Sequence, residues 1–416
     1  MAGPTTIGLR PAVILHDLIA GARRDLTENI LPFWLALEDP AGGHWISVDA
    51  NGQIDRMAPR KLTFAARMAW TLSEIARRLR IDGIARAAAR AHHYLLRFHD
   101  PVRGGYVTSL TPEGAPLDPS KHIYGQSFVI YALASYGQMP EGRGALQAAL
   151  DLFELIEARA RRPETGLYFE SFDADWHQTP NVDRALGERF IAPHSADTHL
   201  HLIEAYLELH KATKKQSIEL AVRALVETFV RRFVDPSGLF TYQKLDLRGL
   251  RVPSAIWPGH DIEVSWLLDE AADVLGDVAL RLSIRRTARS LALGATASGL
   301  QPGGGWTERL HDGVPDPWRL WWVQAEAVLG MLNYGLRTGD WQMISQAAET
   351  WRFIEEKQRD ARSGDWHLRV SATGAPDPTC PRVISWKDPY HQARACMEII
   401  ERCTIALGSS VSGGQI

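Results

Sequence analysis

Six short turns, each a glycine followed closely by an aromatic residue, punctuate this 416-residue chain at nearly constant intervals. They read Asp39-Pro-Ala-Gly-Gly-His-Trp45, Asp100-Pro-Val-Arg-Gly-Gly-Tyr106, Glu164-Thr-Gly-Leu-Tyr168, Asp235-Pro-Ser-Gly-Leu-Phe240, Gly303-Gly-Gly-Trp306 and Asp360-Ala-Arg-Ser-Gly-Asp-Trp366. Successive aromatic residues lie 61, 62, 72, 66 and 60 residues apart. Turn signals with such a period mark a repeat architecture, in which each unit buries its apolar face only against its neighbours.

The stretches between turns carry apolar residues at three- and four-residue spacing and are rich in Ala, Leu, Arg and Glu, which predicts helices. The predicted helices span 10–36, 62–80, 84–98, 123–137, 144–160, 197–213, 216–233, 261–275, 279–295, 320–336, 341–357 and 389–406. That is two helices per turn. Twelve helices in six hairpins form either an open solenoid or a closed double ring. Closure removes the need for polar end caps, so the expected fold is a closed all-α (α/α)6 barrel, one unit over residues 1–416. A short hairpin is expected around Leu239-Phe-Thr-Tyr242. The helix after each turn begins with unusual polar and aromatic residues. Its partner has an ordinary charged face, as in Lys214-Lys-Gln-Ser-Ile-Glu-Leu-Ala-Val-Arg. If the first kind form the inner ring, their N-termini meet at one mouth.

Composition removes several function classes. A net charge of −3 provides no basic field for nucleic acid or an anionic membrane. Only Cys380, Cys396 and Cys403 are present, an odd and clustered set that argues against a disulfide scaffold and for a reducing compartment. No apolar run approaches a membrane span, and Met1–Arg10 lacks the pattern of a secretory leader. A cytoplasmic location is therefore expected.

Each unit contributes one cluster to the presumed mouth. These are Arg67 and Trp70; Tyr124 and Gln126; Asp197, His199, His201 and Glu204; His260 and Glu263; Trp321, Trp322 and Glu326; and Trp386 and His391. Asp197 and His201, like Trp322 and Glu326, are four residues apart, and His260 and Glu263 are three apart. Each pair shares a helix face. His199 lies two residues from His201 and faces elsewhere. No facial cluster of His, Cys and carboxylates at ligand spacing is apparent, so no metal is expected.

The segments Asp197-Thr-His-Leu-His-Leu-Ile-Glu-Ala205, Gly259-His-Asp-Ile-Glu-Val-Ser-Trp-Leu-Leu268, Trp321-Trp-Val-Gln-Ala-Glu326 and Trp386-Lys-Asp-Pro-Tyr-His391 resemble, in order, the motifs of the N-acylglucosamine 2-epimerase superfamily. The resemblance is greatest to its cellobiose 2-epimerase branch. It implies an (α/α)6 barrel that interconverts unphosphorylated sugars at C2, or between aldose and ketose, with no cofactor and no metal. The expected partner is thus a small-molecule sugar, with no nucleic acid and no membrane. The resemblance makes His260 and His391 the acid–base pair, with His201 assisting ring opening or handling sugar oxygens. Arg67, Tyr124, Glu263 and Glu326 would bind the sugar or orient the histidines, and Trp322 and Trp386 would form stacking walls. One residue departs from the pattern: Asp197 stands where the family has Asn. An amide can donate to a sugar oxygen, whereas an ionised carboxylate only accepts. The expected consequence is an altered substrate preference or a more basic His201.

The residue types suit this chemistry independently. Removing a proton alpha to a carbonyl near neutral pH calls for a base such as histidine. A helix N-terminus favours its neutral form. Inversion at C2 is simplest with one acid–base group on each face of an enediolate, and His260 and His391 come from separate units. Arg67 and helix N-termini could stabilise the oxyanion, and indole rings cover the C–H faces of a sugar. Aldose–ketose isomerisation is the nearest alternative. Glycoside hydrolysis would need two carboxylates across a cleft, for which Asp197, Glu263 and Glu326 are candidates. A silent sugar- or protein-binding module is the third. The substrate stays open among disaccharides, free hexoses and N-acylated sugars. His92, His93, His99 and His210 are expected to be structural, Trp70 and Trp266 to lie in the core, and Tyr106 and Trp306 to pack the repeat turns.

Overall fold

Alternation of two helix types builds the molecule, as described for residues 9–180 and 192–408 in a computed structural model. The first ten residues, read above for a leader, lie outside the described residues up to residue 8. In chain order the helices are α1 (Leu9–Asp25), α2 (Leu31–Ala36), α3 (Leu62–Leu79), α4 (Ile84–Leu95), α5 (Ile123–Tyr136), α6 (Ala145–Arg159), α7 (Ala196–Thr213), α8 (Gln216–Arg232), α9 (Pro258–Val274), α10 (Val278–Gly299), α11 (Trp321–Thr338), α12 (Trp341–Phe353) and α13 (Tyr390–Ala406). A π-turn over Leu26–Ile30 joins α1 and α2 into one rod, with the Leu31 amide donating to the Leu26 carbonyl. Pro32 has no amide proton for the usual helical bond, and the wider turn accommodates it. Counted as rods, the described residues form the twelve expected helices.

Helices α3, α5, α7, α9, α11 and α13 pack on one another in sequence, and α13 packs on α3 to close the ring. The others form the outer layer, each against an inner neighbour. Sequence composition explains the division. All of α5, Ile-Tyr-Gly-Gln-Ser-Phe-Val-Ile-Tyr-Ala-Leu-Ala-Ser-Tyr, is buried, as a helix walled in on every side must be. Outer α4 buries Ile84, Ala87, Ala88 and Ala91 while Arg86 and Arg90 face solvent. At roughly 25 cal/mol per Å² of apolar surface removed from water, the inner ring is where most of the folding free energy accrues.

The six turns recur as six single β-bridges between the end of an outer helix and the turn's aromatic residue or its neighbour: Glu38 to His44, His99 to Tyr106, Arg161 to Tyr168, Val234 to Thr241, Leu300 to Trp306, and Arg359 to Trp366. Tyr106 and Trp306 are buried beneath these turns, as expected. A buried polar side chain near the start of an inner helix holds the turn. Gln126 accepts from the Tyr106 amide and donates to its carbonyl at 2.9 and 2.7 Å, and Gln324 does the same for Trp306 at 2.7 and 2.9 Å. His199 accepts from the Tyr168 amide at 3.0 Å, and Asp261 from the Thr241 amide at 2.8 Å. Gln126 and His199 therefore belong to the scaffold.

A collar of short pairings rings one end of the barrel. Each segment entering an inner helix pairs with the next: Arg60–Lys61 with Ser109–Leu110, Lys121–His122 with Ser171–Phe172, His194–Ser195 with Lys244–Leu245, Ile256 with Leu310, and Trp318–Leu320 with Arg369–Ser371. Val383 pairs with Val48 and completes the circle. The hairpin expected at Leu239–Tyr242 falls instead at Lys244–Leu245 and Arg251–Val252. The displacement has a local cause: Asp246 accepts from the amides of Arg248 and Leu250, and Gly249 takes φ +75°, so the reversal forms there.

Candidate active site

The first two turns of the six inner helices converge inside the collar. Arg67 comes from α3, Tyr124 from α5, Asp197 and His201 from α7, His260 and Glu263 from α9, Trp322 and Glu326 from α11, and His391 from α13. Trp386 comes from the loop before α13. Their packing is close. A Cβ on Gly259, beside His260, would come within 2.9 Å of the Trp322 ring and 3.0 Å of Val323, so glycine lets α9 approach α11.

The three histidines share one device: each has its Nδ1 fixed by a side-chain oxygen. His391 Nδ1 lies 2.7 Å from Glu326 Oε1, His201 Nδ1 2.9 Å from Glu204 Oε2, and His260 Nδ1 2.9 Å from Gln243 Oε1. Glu326 Oε1 also accepts from Arg394, and Glu204 Oε2 from the Tyr390 hydroxyl. In these two cases the histidine is the donor. The Nδ1 hydrogen sets the tautomer and leaves Nε2 as the acid–base atom. Trp322 flanks both outer partners, its ring 4.9 Å from that of His260 and 5.7 Å from that of His391.

On the other wall, Arg67 donates to the Tyr124 hydroxyl at 2.7 Å and to Asp388 at 3.3 Å. The Tyr124 ring lies 5.2 Å from His201 and 6.0 Å from half-buried Trp386. All ten residues singled out from sequence therefore join one connected cluster. The expected link between Asp197 and a more basic His201 is corrected in part. The Asp197 carboxylate reaches across to the neighbouring helix, with Oδ1 2.8 Å from His260 Nε2, and His201 takes Glu204 as its partner.

Arg394 lies at the centre, and sequence reasoning passed over it. Its guanidinium binds Glu263 at 2.6 Å, Glu326 at 2.7 Å, and Glu204. It stands on the His391 helix, three residues on, and i,i+4 spacing to Tyr390 was the available signal. Gln243 was also missed; it sits in a loop with no periodicity to mark it. The expectation of no metal-ligand cluster is corrected as well. Among the described residues, Glu263, Glu326 and His391 bring candidate ligand atoms within 4.8 Å of one another. These residues come from three helices, so no linear spacing discloses them. The cluster already holds a cation, because Arg394 takes the oxygens that a metal would need.

Electrostatics differ among these groups. Burial, then Arg67 and Arg394, hold His391 well below the usual histidine range. The expected neutral imidazole is thus present, from burial and two arginines. Burial and Glu326 push Glu263 up, against the pull of Arg394, and burial likewise raises Glu326. Burial acts on Glu204 in the same sense, but Arg394 and His201 outweigh it and bring the carboxyl down to about 2.

Trp70 stacks on Tyr131 at 4.8 Å within the core. Trp266 is a core residue that also serves the site, donating to Glu326 Oε2 at 3.1 Å. His92 stacks on Tyr136 at 4.0 Å, away from the mouth.

Comparison with known proteins agrees with this geometry. The N-acylglucosamine 2-epimerase (GlcNAc 2-epimerase) family pattern matches residues 43–395. A cellobiose 2-epimerase from Dictyoglomus turgidum is 32% identical over 381 residues, covering 91% of this chain and 96% of that protein. The structure of cellobiose 2-epimerase from Bacillus thermoamylovorans B4167 superposes with a TM-score of 0.88 at 29% identity, covering 93% of this chain and all of that one. A D-mannose isomerase from Marinomonas mediterranea is more distant, 23% identical over 88% of this chain and 93% of its own length. The chain belongs to the N-acylglucosamine 2-epimerase family, enzymes of the isomerase class that act on sugars.

Proposed function

We propose that the protein is a sugar 2-epimerase acting on an unphosphorylated aldose or reducing-end sugar, in the manner of the cellobiose 2-epimerases it resembles. One observation carries the reading: two buried histidines from separate helices, His260 and His391, flank the same indole, each with Nδ1 fixed. One Nε2 removes the C2 proton of the open-chain aldose, giving an enediolate, and the other returns a proton to the opposite face. His201, beside Tyr124, is placed to serve ring opening. Arg67 is the cation available to the developing oxyanion. Glu263 and Glu326 act through Arg394 and His391, and Trp322 and Trp386 cover the sugar's C–H faces. No redox or metal cofactor enters this scheme, and the cytoplasm is its proposed setting. Among the described residues no helix is long and apolar enough to cross a membrane.

The test is proton NMR of cellobiose and a panel of free aldoses incubated with the enzyme in heavy water. The epimer should carry deuterium at C2 from its first appearance, while unreacted substrate gains it more slowly. Ketose as the dominant early product, retaining the substrate hydrogen at C1, would overturn the epimerase reading in favour of aldose–ketose isomerisation.

A further inference from the structure

We propose that Asp197 is a positioning residue that holds a proton on His260 Nε2, so that His260 begins each turnover as the acid and His391 as the base. The catalytic half of this inference rests on the epimerase reading. The protonation half rests on geometry alone. Gln243 aims its amide nitrogen at Thr241, 3.2 Å from Oγ1 and 3.4 Å from the carbonyl, which turns its oxygen towards His260 Nδ1 at 2.9 Å. Nδ1 must therefore donate. On the far side of the ring, Asp197 Oδ1 lies 2.8 Å from Nε2. A carboxylate only accepts, and a bare nitrogen lone pair at that distance would set acceptor against acceptor. Nε2 therefore carries a hydrogen too. A ring with hydrogens on both nitrogens is an imidazolium.

The surroundings of the two histidines differ accordingly. His260 meets Asp197 from α7, Glu263 on its own helix, Trp257 and Gln243 from loops, and Trp322 from α11. Glu263 is already bound to Arg394, which leaves Asp197 as the carboxylate in direct contact. The nearest guanidinium recorded on that side, Arg309, lies behind Trp257, 5.5 Å from its ring. His391 instead faces Arg67 and Arg394, whose charges oppose its protonation.

The proton inventory closes over a cycle. His391 Nε2 takes the C2 proton, the C2–H bond breaks, and its electrons pass into the enediolate. Those electrons then form the new C2–H bond with the proton from His260 Nε2, which leaves that ring neutral beside a carboxylate. His391 now carries a proton next to two arginines. Its loss to water, and uptake of one by His260, return the enzyme to its starting form. Asp197 thereby makes the reset favourable at both ends.

The experiment compares nitrogen-15 spectra of the full chain labelled in histidine, as native protein and as Asp197→Asn. The His260 ring signals are those lost in His260→Gln. At about pH 7.5, above the ordinary histidine range, the native ring should show two N–H nitrogens, and Asp197→Asn one N–H and one bare nitrogen. A bare nitrogen on His260 in the native protein would overturn the proposal whatever the activity. With cellobiose as probe, the alkaline limb of kcat/KM should move down by about one pH unit in Asp197→Asn, a roughly tenfold lower rate on that limb, with the acid limb unmoved. An unmoved alkaline limb in a variant of native circular dichroism overturns the acid role of His260. Failure of the native enzyme to exchange C2 hydrogen in any aldose sinks the epimerase reading instead, and the spectra still decide what Asp197 does.

Discussion

The two ends of the inner ring are made from the same charged residues and behave oppositely. At the end away from the collar, arginines match or outnumber their carboxylates locally. Glu74 meets both Arg77 and Arg78, and Glu398 meets Arg78 and Arg402. The arginines overcome the effect of burial and hold both carboxyls below their usual range. At the mouth, Glu204, Glu263 and Glu326 share the single guanidinium of Arg394, and two of them are pushed up. Matched pairs lock the base of the barrel. A shared cation leaves the mouth short of positive charge, with acceptors to orient His201 and His391.

Arg394→Ala should give the largest effect if this contrast is right. It strands three buried carboxylates, at a cost of about 3–5 kcal/mol for breaking a buried ionic cluster. Arg78→Ala, whose side chain is 29% exposed and whose partner Glu74 keeps Arg77, should cost only ~1 kcal/mol. Urea titration of both variants checks the ranking, and equal losses would dissolve the distinction between the two ends.

His260→Ala and His391→Ala come next. Each should lower kcat at least ~10²-fold, the smaller value expected for a positioned acid–base group, with unchanged circular dichroism. Because His391 is held low, the acid limb of the native pH–rate profile should fall below the ordinary histidine range near ~6.5. A limb at or above that value would show that His391 is not the base.

A smaller effect concerns the turn-holding carboxyl of Asp261, which burial raises to about 7. The folded chain then binds a proton that the unfolded chain has already released. Stability contributed by this group is full below the ordinary carboxylate range and is lost as pH rises to about 7. Asp261→Asn keeps an acceptor for the Thr241 amide and removes the titration. Above pH ~7 it should be more stable than the native chain by ~2 kcal/mol, an advantage that shrinks on acidification. Melting curves at two pH values measure it, and a constant difference would assign the native slope to other groups. The smallest expected effect is none: dialysis against a chelator should leave turnover unchanged, since Arg394 holds the oxygens of the Glu263, Glu326 and His391 cluster. Activity lost on chelation and restored by one metal would place an ion where the guanidinium sits.

The linear chain determined the repeat and with it the barrel. Gly-aromatic turns, helical periodicity and the contrast between α5 and α4 are local properties, legible because backbone conformation and one-sided burial follow from neighbours three or four residues away. The same logic placed His260, His391, Arg67 and Trp322 at helix starts. Partnership was not local. Asp197 shares a helix face with His201 in sequence, yet its carboxylate meets His260 on the adjacent helix. Glu263, Glu326 and His391 converge from three helices, and Gln243 reaches its histidine from a loop. Arg394 looked like one more basic residue on an amphipathic helix until ring closure buried it among three carboxylates. Only the tertiary structure decided these pairings, because hydrogen bonds and ion pairs depend on distances of a few ångströms across helices separated by sixty or more residues, and linear spacing encodes no such distance.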